Sequence, residues 1–325
     1  MNKLSRRAFT SALFSAPFAA PVAAGLATGT LVHAATKTAA DVQPHAQIRL
    51  GRFTVTFLND GYNDVPIGAF QGRPVEELTA MVDRQFEVRA EQTVRISFNQ
   101  YLIDDGERKI LVDAGTGGGF GETGALPKGL AAIGLGPADI DAVIATHLHF
   151  DHITGLVRGG EKVFANAEVY ADRRDVKHFT DPAKAAAAPD LLKSSFAAAN
   201  ELARLYPKLQ QIEGAEQIVR GVSTVDLSGH TPGHIGVRIE DDGQSLLLVG
   251  DMLFHPALHP AAEDVTIAFE ADPAAARAMR EAFFPRAAEE GALIAATHIA
   301  FPGLGRIVKD RGELRWATAD WASMR

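Results

Sequence analysis

Four potential metal ligands lie within six consecutive positions of the sequence: His147, His149, Asp151 and His152, in the segment THLHFDHITGL. They come directly after the apolar run AVIA. A single histidine in such a place would more often be a hydrogen-bonded core residue or a polar loop residue. Four crowded imidazoles and carboxylates are costly to bury without a partner. Because nitrogen and carboxylate ligands suit zinc, manganese, cobalt and iron, the spacing favours a metal site.

Three more potential ligands lie far apart in the sequence, each after an apolar run. His230 follows STVDLSG, Asp251 follows SLLLVG and His298 follows LIAAT. Short apolar runs predict buried strands, and ligands of α/β proteins bind beyond the carboxyl ends of strands. We therefore expect these residues to complete the same site. Seven ligands exceed the needs of one tetrahedral ion and suit two ions that share a carboxylate.

The elements that must position these residues alternate between strands and helices. Strands are predicted in QIRLGRFTVTFLNDGYNDVP and in ISFNQYLIDDGERKILVDAG, with turns at Asn59-Asp60-Gly61 and Asp104-Asp105-Gly106. Helical periodicity appears at 183–205 and at 273–290. This alternation predicts a layered α/β protein.

The composition excludes several classes of protein. The 325 residues carry a formal net charge of −8, and no run of lysine and arginine interrupts the chain. An acidic protein repels a polyanion, so nucleic acid is not an expected partner. The chain contains no cysteine, which rules out a Cys-ligated metal site and a Cys nucleophile.

The first residues predict an export signal rather than part of the fold. Paired arginines, Arg6 and Arg7, precede an apolar, small-residue stretch that ends in VHA, a pattern typical of a twin-arginine signal. Prolines and glycines interrupt the apolar stretch, so a stable membrane anchor is not expected. We expect cleavage of 1–34 after Ala34 and a periplasmic or secreted protein, with 35–325 as a single domain.

The motif His-x-His-x-Asp-His, present as HLHFDH, resembles the signature of the metallo-β-lactamase superfamily, and the likeness extends over nearly all of 35–325. The resemblance implies an α/β fold of the αββα sandwich type. It also implies two divalent ions, zinc first, with manganese, cobalt or iron as alternatives. The positions that match the family's ligands are His147, His149 and His230 for the first ion, Asp151, His152 and His298 for the second, and Asp251 as the bridge.

Further segments resemble the methyl parathion hydrolase branch of that family: LVDAGTGGGFG, GHTPGH, LLLVGDML and LIAATHIAFPGLG. This branch contains exported two-metal enzymes that cleave lactones, aryl esters and organophosphate triesters. The likeness places Asp113 near the metal histidines, although a strand-end turn would also explain it. It implies that His234 supports its loop by hydrogen bonding. We also expect a homodimer.

The implied mechanism needs neither serine nor cysteine. Two ions about 3.5–4 Å apart lower the pKa of a shared water to near neutrality, and hydroxide attacks the polarised substrate. The catalytic residues would be Asp251, the bridge, and Asp151, the proton carrier to the leaving group. Predicted pocket residues lie on a glycine-rich loop, in a helical insertion at 172–210 and in FHPALHP, and they are Phe120, Phe179, Phe196, Phe254 and His255.

These pocket residues imply a small apolar or aromatic substrate. The alternative is that the phenylalanines are ordinary core residues and that His255 and His259 are surface histidines. Alternative activities with the same ligands are an acyl-homoserine lactonase and a glyoxalase II-like thioesterase, although the latter would require a basic patch. The acidic charge disfavours a nuclease, and the ligand set disfavours a β-lactamase. A non-enzymatic metal-binding protein is disfavoured by the complete ligand set.

Overall fold

The computed structural model of the protein describes residues 45–324. Contacts along the chain divide it into Met1–Asp41 and Val42–Arg325, and every described residue belongs to the second unit. The predicted export signal at 1–34 lies outside the described residues. Among the residues that are described, no helix is long and apolar enough to cross a bilayer.

The described residues form nineteen strands and seven α-helices. In chain order the strands are β1 His45–Leu50, β2 Phe53–Pro66, β3 Phe70–Gln71, β4 Thr93–Asp104, β5 Lys109–Val112, β6 Glu122–Thr123, β7 Ala142–Ile144, β8 Val157–Arg158, β9 Glu161–Lys162, β10 Glu168–Asp172, β11 Gln210–Ile212, β12 Gln217–Val219, β13 Val222–Asp226, β14 Ile235–Asp241, β15 Gln244–Leu248, β16 Thr266–Ile267, β17 Ile294–Ala295, β18 Leu304–Asp310 and β19 Glu313–Thr318. The helices are α1 Val75–Asp83, α2 Leu126–Ala132, α3 Phe150–Ile153, α4 Arg173–Phe179, α5 Pro182–Ala187, α6 Asp190–Leu205 and α7 Pro273–Glu290.

Two large sheets are the centre of the fold. The first has the order β1-β2-β4-β5-β7-β10-β11, with β6 paired to β2, and the second has the order β12-β13-β14-β15-β17-β18-β19. In the first sheet β7 runs parallel to both β5 and β10, whereas β1, β2, β4 and β5 pair antiparallel. In the second sheet β15 and β17 are parallel. The carboxyl ends of β15 and β17 therefore lie at the same edge of the second sheet. The carboxyl ends of β5 and β7 likewise lie at the same edge of the first sheet.

Three hydrophobic clusters hold the layers together. The first joins the inner faces of the two sheets, with Phe57 and Tyr101 from the first sheet against Val237 and Leu248 from the second. The second packs the first sheet against α2, α4 and α6, and the third packs the second sheet against α7. The layer order is helix, sheet, sheet, helix, which confirms the predicted αββα sandwich.

The predicted helix at 183–205 is divided in the structure, with α5 ending at Ala187 and α6 beginning at Asp190. Pro189 lies at this boundary, and a proline disfavours helical backbone in the residue before it. The predicted helix at 273–290 coincides with α7. Its start is capped by Asp272, whose carboxylate accepts hydrogen bonds from two backbone N–H groups of the first turn.

One of the two predicted turns is wrong. Asn59-Asp60-Gly61 lies inside the continuous strand β2, where the register with β4 shifts between Asn59 and Gly61. Gly61 has a φ of +129° and an added Cβ would meet the carbonyl oxygen of Glu122 at 1.9 Å, so glycine is required by a bulge rather than by a turn. The other predicted turn is present, and Gly106 N–H donates to Asp104 Oδ1 at 2.8 Å.

Replacement of Phe57 by alanine tests the packing between the sheets. Phe57 is fully buried and its ring meets Tyr101 edge-on at 5.7 Å. We expect the free energy of unfolding to fall by about 3–5 kcal/mol in denaturant titration. The control is Phe86→Ala, at a side chain that is 93% exposed, which should change it little. Equal effects of the two substitutions would contradict the assigned core.

Candidate metal centre

The seven predicted ligands come together beyond the ends of strands from both sheets. His147 follows β7 of the first sheet, and Asp251 and His298 follow β15 and β17 of the second. His230 lies in the connection between β13 and β14. Asp151 is partly exposed, and the other six residues are at most 3% exposed.

A first cluster contains His147, His149, His230 and Asp251, whose ligand atoms lie within 4.8 Å of one another. Nδ1 of His149 is 3.1 Å from Nε2 of His147 and 3.0 Å from Nε2 of His230. Oδ2 of Asp251 lies 3.6 Å from Nε2 of His147 and 3.3 Å from Nε2 of His230. The three imidazoles and this oxygen thus converge on one point.

A second cluster contains Asp151, His152 and His298. The Nε2 atoms of both histidines lie 3.2 Å from Oδ1 of Asp251, and they lie 3.5 and 3.6 Å from Oδ2 of Asp151. Oδ2 of Asp251, which faces the first cluster, also lies 3.2 Å from Nε2 of His298, so the carboxylate of Asp251 lies between the two clusters and contacts both. This is the arrangement of a carboxylate that bridges two cations.

The chemistry of these donors fits divalent cations. His152 Nε2 and Asp251 Oδ1 are buried and face each other without forming a hydrogen bond. Burial, together with neighbouring imidazoles, holds the pKa values of His147 and His149 well below the usual value, so these rings are neutral and their lone pairs are available. Burial opposes ionisation of Asp251, but the imidazoles of His298 and His152 outweigh it and hold its pKa low. Burial disfavours the charged form of His152 and His230, but the nearby carboxylates outweigh it and raise the pKa of both rings, so a bound cation would displace their protons. An imidazole and carboxylate set of this kind binds cations such as Zn²⁺.

Asp113 lies beside the second cluster, directly after β5. Its Oδ2 accepts a hydrogen bond from His152 Nδ1 at 2.8 Å and from Thr146 Oγ1 at 2.9 Å, and its Oδ1 accepts from the backbone N–H of Thr146 at 2.8 Å. These contacts orient the ring of His152 so that Nε2 faces Asp251. A carboxylate behind a ligating histidine fixes its tautomer.

His234 lies outside both clusters and supports the backbone of a ligand. Its Nδ1–H donates to the carbonyl of Leu227 at 2.9 Å, and its Nε2 accepts from the backbone N–H of Asp251 at 3.1 Å. Burial lowers the pKa of His234 to about 3, so the ring is neutral, as these two hydrogen bonds require.

Asp175, at the start of α4, was missed by the sequence prediction. Its buried carboxylate accepts from the backbone N–H of Leu148 at 3.0 Å, from Thr231 Oγ1 at 2.8 Å and from the backbone N–H of Gly233 at 2.6 Å. It therefore joins the loop of His147 and His149 to the loop of His230. No sequence signal separates it from an ordinary helical aspartate, because its partners lie 27, 56 and 58 residues away.

Residues 97–298 match the family described as Metallo-beta-lactamase superfamily, which is more than half of the chain. The chain belongs to the metallo-beta-lactamase superfamily. A curated N-acyl homoserine lactonase of Bacillus cereus is 30% identical over 169 residues, which are 46% of this chain and 60% of the relative. A probable metallo-hydrolase of Methanocaldococcus jannaschii is 31% identical over 158 residues, which are 49% and 68%.

Two solved structures have a similar fold over most of the chain. A dizinc quorum-quenching lactonase, AidC, in complex with a product aligns with a TM-score of 0.78 at 25% identity, covering 86% of this chain and 99% of that one. The hydrolase AbOPH of the beta lactamase superfamily aligns with a TM-score of 0.79 at 26% identity, covering 86% and 98%. The superfamily is thus confirmed, and the methyl parathion hydrolase branch stays a prediction.

In this superfamily member an apolar cavity opens above the two clusters. Asp151, Asp251, His149 and His298 form its polar floor. The remaining lining residues are mostly aromatic and aliphatic, and they are Val65, Ile96, Phe98, Phe120, Phe150, Leu191, Leu192, Ser195, Phe254 and Phe269. Among the described residues that line the cavity there is no lysine or arginine.

The predicted pocket residues do not all reach this cavity. Phe120 and Phe254 line it, and Phe254 also stacks on the ring of His298 at 4.8 Å. Phe179 and Phe196 are 0% and 4% exposed and belong to the core beneath α6, so we correct that prediction. Phe196 lies on the apolar stripe of an amphipathic helix, and burial of that stripe fixes its direction.

The prediction for His255 also requires correction. Its ring is buried and its Nε2 pairs with Glu87 Oε2 at 2.8 Å, in a neighbouring groove. His259 is buried as well, and its Nδ1 accepts from the backbone N–H of Phe254 at 3.0 Å. Neither is a surface histidine, and neither lines the apolar cavity.

Replacement of Asp113 by asparagine tests its support of His152. Asp113 has a φ of +60°, which asparagine tolerates, so the backbone should be retained. We expect zinc affinity to fall about 10- to 100-fold in competition with a chelator, because the carboxylate behind His152 is lost. The control is Asp310→Asn, an exposed residue at the end of β18 that pairs with Arg315 and belongs to neither cluster, which should not change the affinity. Unchanged affinity in Asp113→Asn would contradict the assigned support.

Proposed function

We propose that this protein is a two-metal hydrolase of small apolar esters, with lactones as its preferred substrates. The observation that carries the proposal is the position of Asp251, whose carboxylate lies within 3.3 Å of imidazole nitrogens of both clusters and lines an apolar cavity. The N-acyl homoserine lactonases among its relatives and the dizinc lactonase of similar fold support the choice of lactones. The chain spans 60% of the length of those curated relatives.

We propose zinc as the metal of both clusters. His147, His149 and His230 would hold one ion, Asp151, His152 and His298 would hold the other, and Asp251 would contact both. Two divalent ions in such a site supply Lewis acidity and lower the pKa of a water between them. The dizinc state of the structurally similar lactonase supports this choice.

The residues around the clusters have distinct proposed roles. Asp151 lines the cavity and its side chain is 13% exposed, so its carboxylate could take the proton released by the attacking water and pass it to the leaving alkoxide. The walls formed by Phe120, Phe150 and Leu191 would exclude bulk water and orient the apolar part of the substrate. A carbonyl placed at the floor then lies next to Asp251.

The apolar walls also define the substrate class. A cavity whose described lining contains no cationic side chain favours neutral substrates over anionic ones. Aryl esters and organophosphate triesters are neutral as well, and we propose them as secondary substrates. A thioesterase for anionic conjugates would need cations beside the metals. Export and homodimer formation remain predictions.

A comparison of four substrates tests the proposed function. We expect kcat/KM to be highest for an acyl-homoserine lactone and a δ-lactone, lower for an aryl ester, and lowest for a methyl organophosphate triester. Asp251→Ala should remove activity on all four and lower zinc content, because both clusters lose their shared oxygen ligand. Asp310→Ala is the matched control and should retain both. A protein that cleaves the triester best would contradict the preference, and an active Asp251→Ala would contradict the two-metal chemistry.

Replacement of Leu191 by alanine tests the cavity wall. Leu191 is 44% exposed, which is consistent with a position at the cavity mouth. We expect kcat/KM to fall about 5- to 30-fold for long-chain lactones, corresponding to about 1–2 kcal/mol of lost apolar contact. A compact lactone should lose less, and zinc content should not change.

The substitution to compare with Leu191→Ala is Phe196→Ala, which removes a core side chain on the same helix rather than a side chain of the cavity wall. It should lower the free energy of unfolding by about 3–5 kcal/mol and change the activity on all substrates by the same factor. If Phe196→Ala were substrate-selective and Leu191→Ala were not, the corrected assignment of the cavity walls would be wrong.

A further inference from the structure

A buried carboxylate and guanidinium, Glu270 and Arg280, lie behind His230 and take no part in either cluster. The side chain of Glu270 is 0% exposed and that of Arg280 is 1% exposed, and Arg280 Nη2 lies 2.5 Å from Glu270 Oε1. Buried ion pairs are weak sources of stability, because desolvation offsets their attraction. Their place beside a metal ligand therefore suggests a role other than stabilisation of the fold.

The histidines that face the clusters through Nε2 share one arrangement, with His230 as the exception. Nδ1 of His152 is bonded to Asp113 Oδ2, and Nδ1 of His298 lies 2.9 Å from the carbonyl of Ser97. Nδ1 of His147 lies 3.1 Å from Thr146 Oγ1. In each of these three rings, the partner of Nδ1 fixes the orientation of the imidazole.

His230 Nδ1 is buried and forms no hydrogen bond. A neutral imidazole that binds a cation through Nε2 carries its proton on Nδ1, and a buried N–H requires an acceptor. Oε1 of Glu270 lies 3.9 Å away. The backbone holds the two residues together, since the N–H of Ala271 donates to the carbonyl of His230 at 2.9 Å.

We propose that Glu270 is the positioning residue of His230 and that Arg280 fixes its carboxylate. Glu270 accepts the Nδ1–H of His230, either after a shift of about 1 Å that brings it within hydrogen-bond distance or through one bridging water. Arg280 also donates to the carbonyls of Met252 at 3.1 Å and Asp251 at 3.5 Å. The pair thus supports the third histidine of the first cluster and the backbone of the bridging residue.

The inference rests on the proposed two-ion site, and it makes a site-specific prediction about metal affinity. His298→Ala removes a ligand of the second cluster and leaves the first complete, whereas His149→Ala does the reverse. In each background, zinc affinity is measured by chelator competition with and without Glu270→Gln. We expect Glu270→Gln to weaken zinc binding about 10- to 100-fold in His298→Ala and less than about threefold in His149→Ala.

A second substitution separates positioning from folding. Glu270→Gln alone leaves a buried guanidinium without its counter-charge, whereas Glu270→Gln with Arg280→Met removes both charges. We expect this double variant to recover the thermal unfolding midpoint of the metal-free protein but not the zinc affinity. The matched control is the exposed pair Arg286 and Glu290 on α7, the helix that also carries Arg280. Replacing this pair by methionine and glutamine should alter neither the unfolding midpoint nor the zinc affinity.

The results discriminate between the inference and the site on which it rests. Equal losses in the two backgrounds, or recovery of zinc affinity in the double variant, would show that Glu270 acts through the fold and would overturn the inference. Normal zinc binding without any effect of Glu270→Gln would also overturn it, while leaving the two-ion site intact. Failure of the unsubstituted protein to bind zinc would contradict the proposed zinc site itself.

Discussion

The contact on which the site depends is the sharing of one carboxylate, Asp251, between two groups of imidazoles. Close contacts constrain the backbone on either side of Asp251. Gly250 has a φ of +51°, and a Cβ there would lie 2.6 Å from Nε2 of His234 and 3.2 Å from the side chain of Thr146. The same His234 nitrogen accepts the N–H of Asp251. Glycine is thus required because a ring must approach the backbone closely to hold the bridging carboxylate in place.

Buried aspartates around the clusters each tie two segments of chain together. Asp113 joins the end of β5 to the end of β7, and Asp175 joins the loops that carry three of the histidines. Asp60 accepts from the backbone N–H groups of Thr116 and Leu126, which anchors both ends of the segment 116–126 that carries Phe120. Burial raises the pKa of Asp175 to about 6, and its backbone and hydroxyl donors act in the opposite direction. Such contacts make the geometry rigid before any ligand binds.

Rigidity and specificity are divided between different parts of the fold. The ligands follow short strands whose hydrogen bonds to neighbours leave little freedom. The cavity walls come from β2 and β4, the loop of Phe120 and the exposed turn of α6 at Leu191, so they draw on segments far apart in the chain. The loop of Phe120 and the exposed turn at Leu191 are the kind of position at which binding properties usually vary on a rigid scaffold. A change in substrate therefore need not disturb the metals.

The sequence by itself determined the layered α/β class, the helix at 273–290 and which seven residues form the two clusters, because residue type, spacing and periodicity are local properties. Only the tertiary structure decided which side of a helix or loop a residue faces. Phe196 enters the core because α6 packs its apolar stripe on the first sheet. Glu270 meets His230, and Arg280 meets Glu270, through packing that no local pattern records. Long-range contacts of this kind depend on how whole elements pack. Patterns within single segments of the sequence therefore do not predict them.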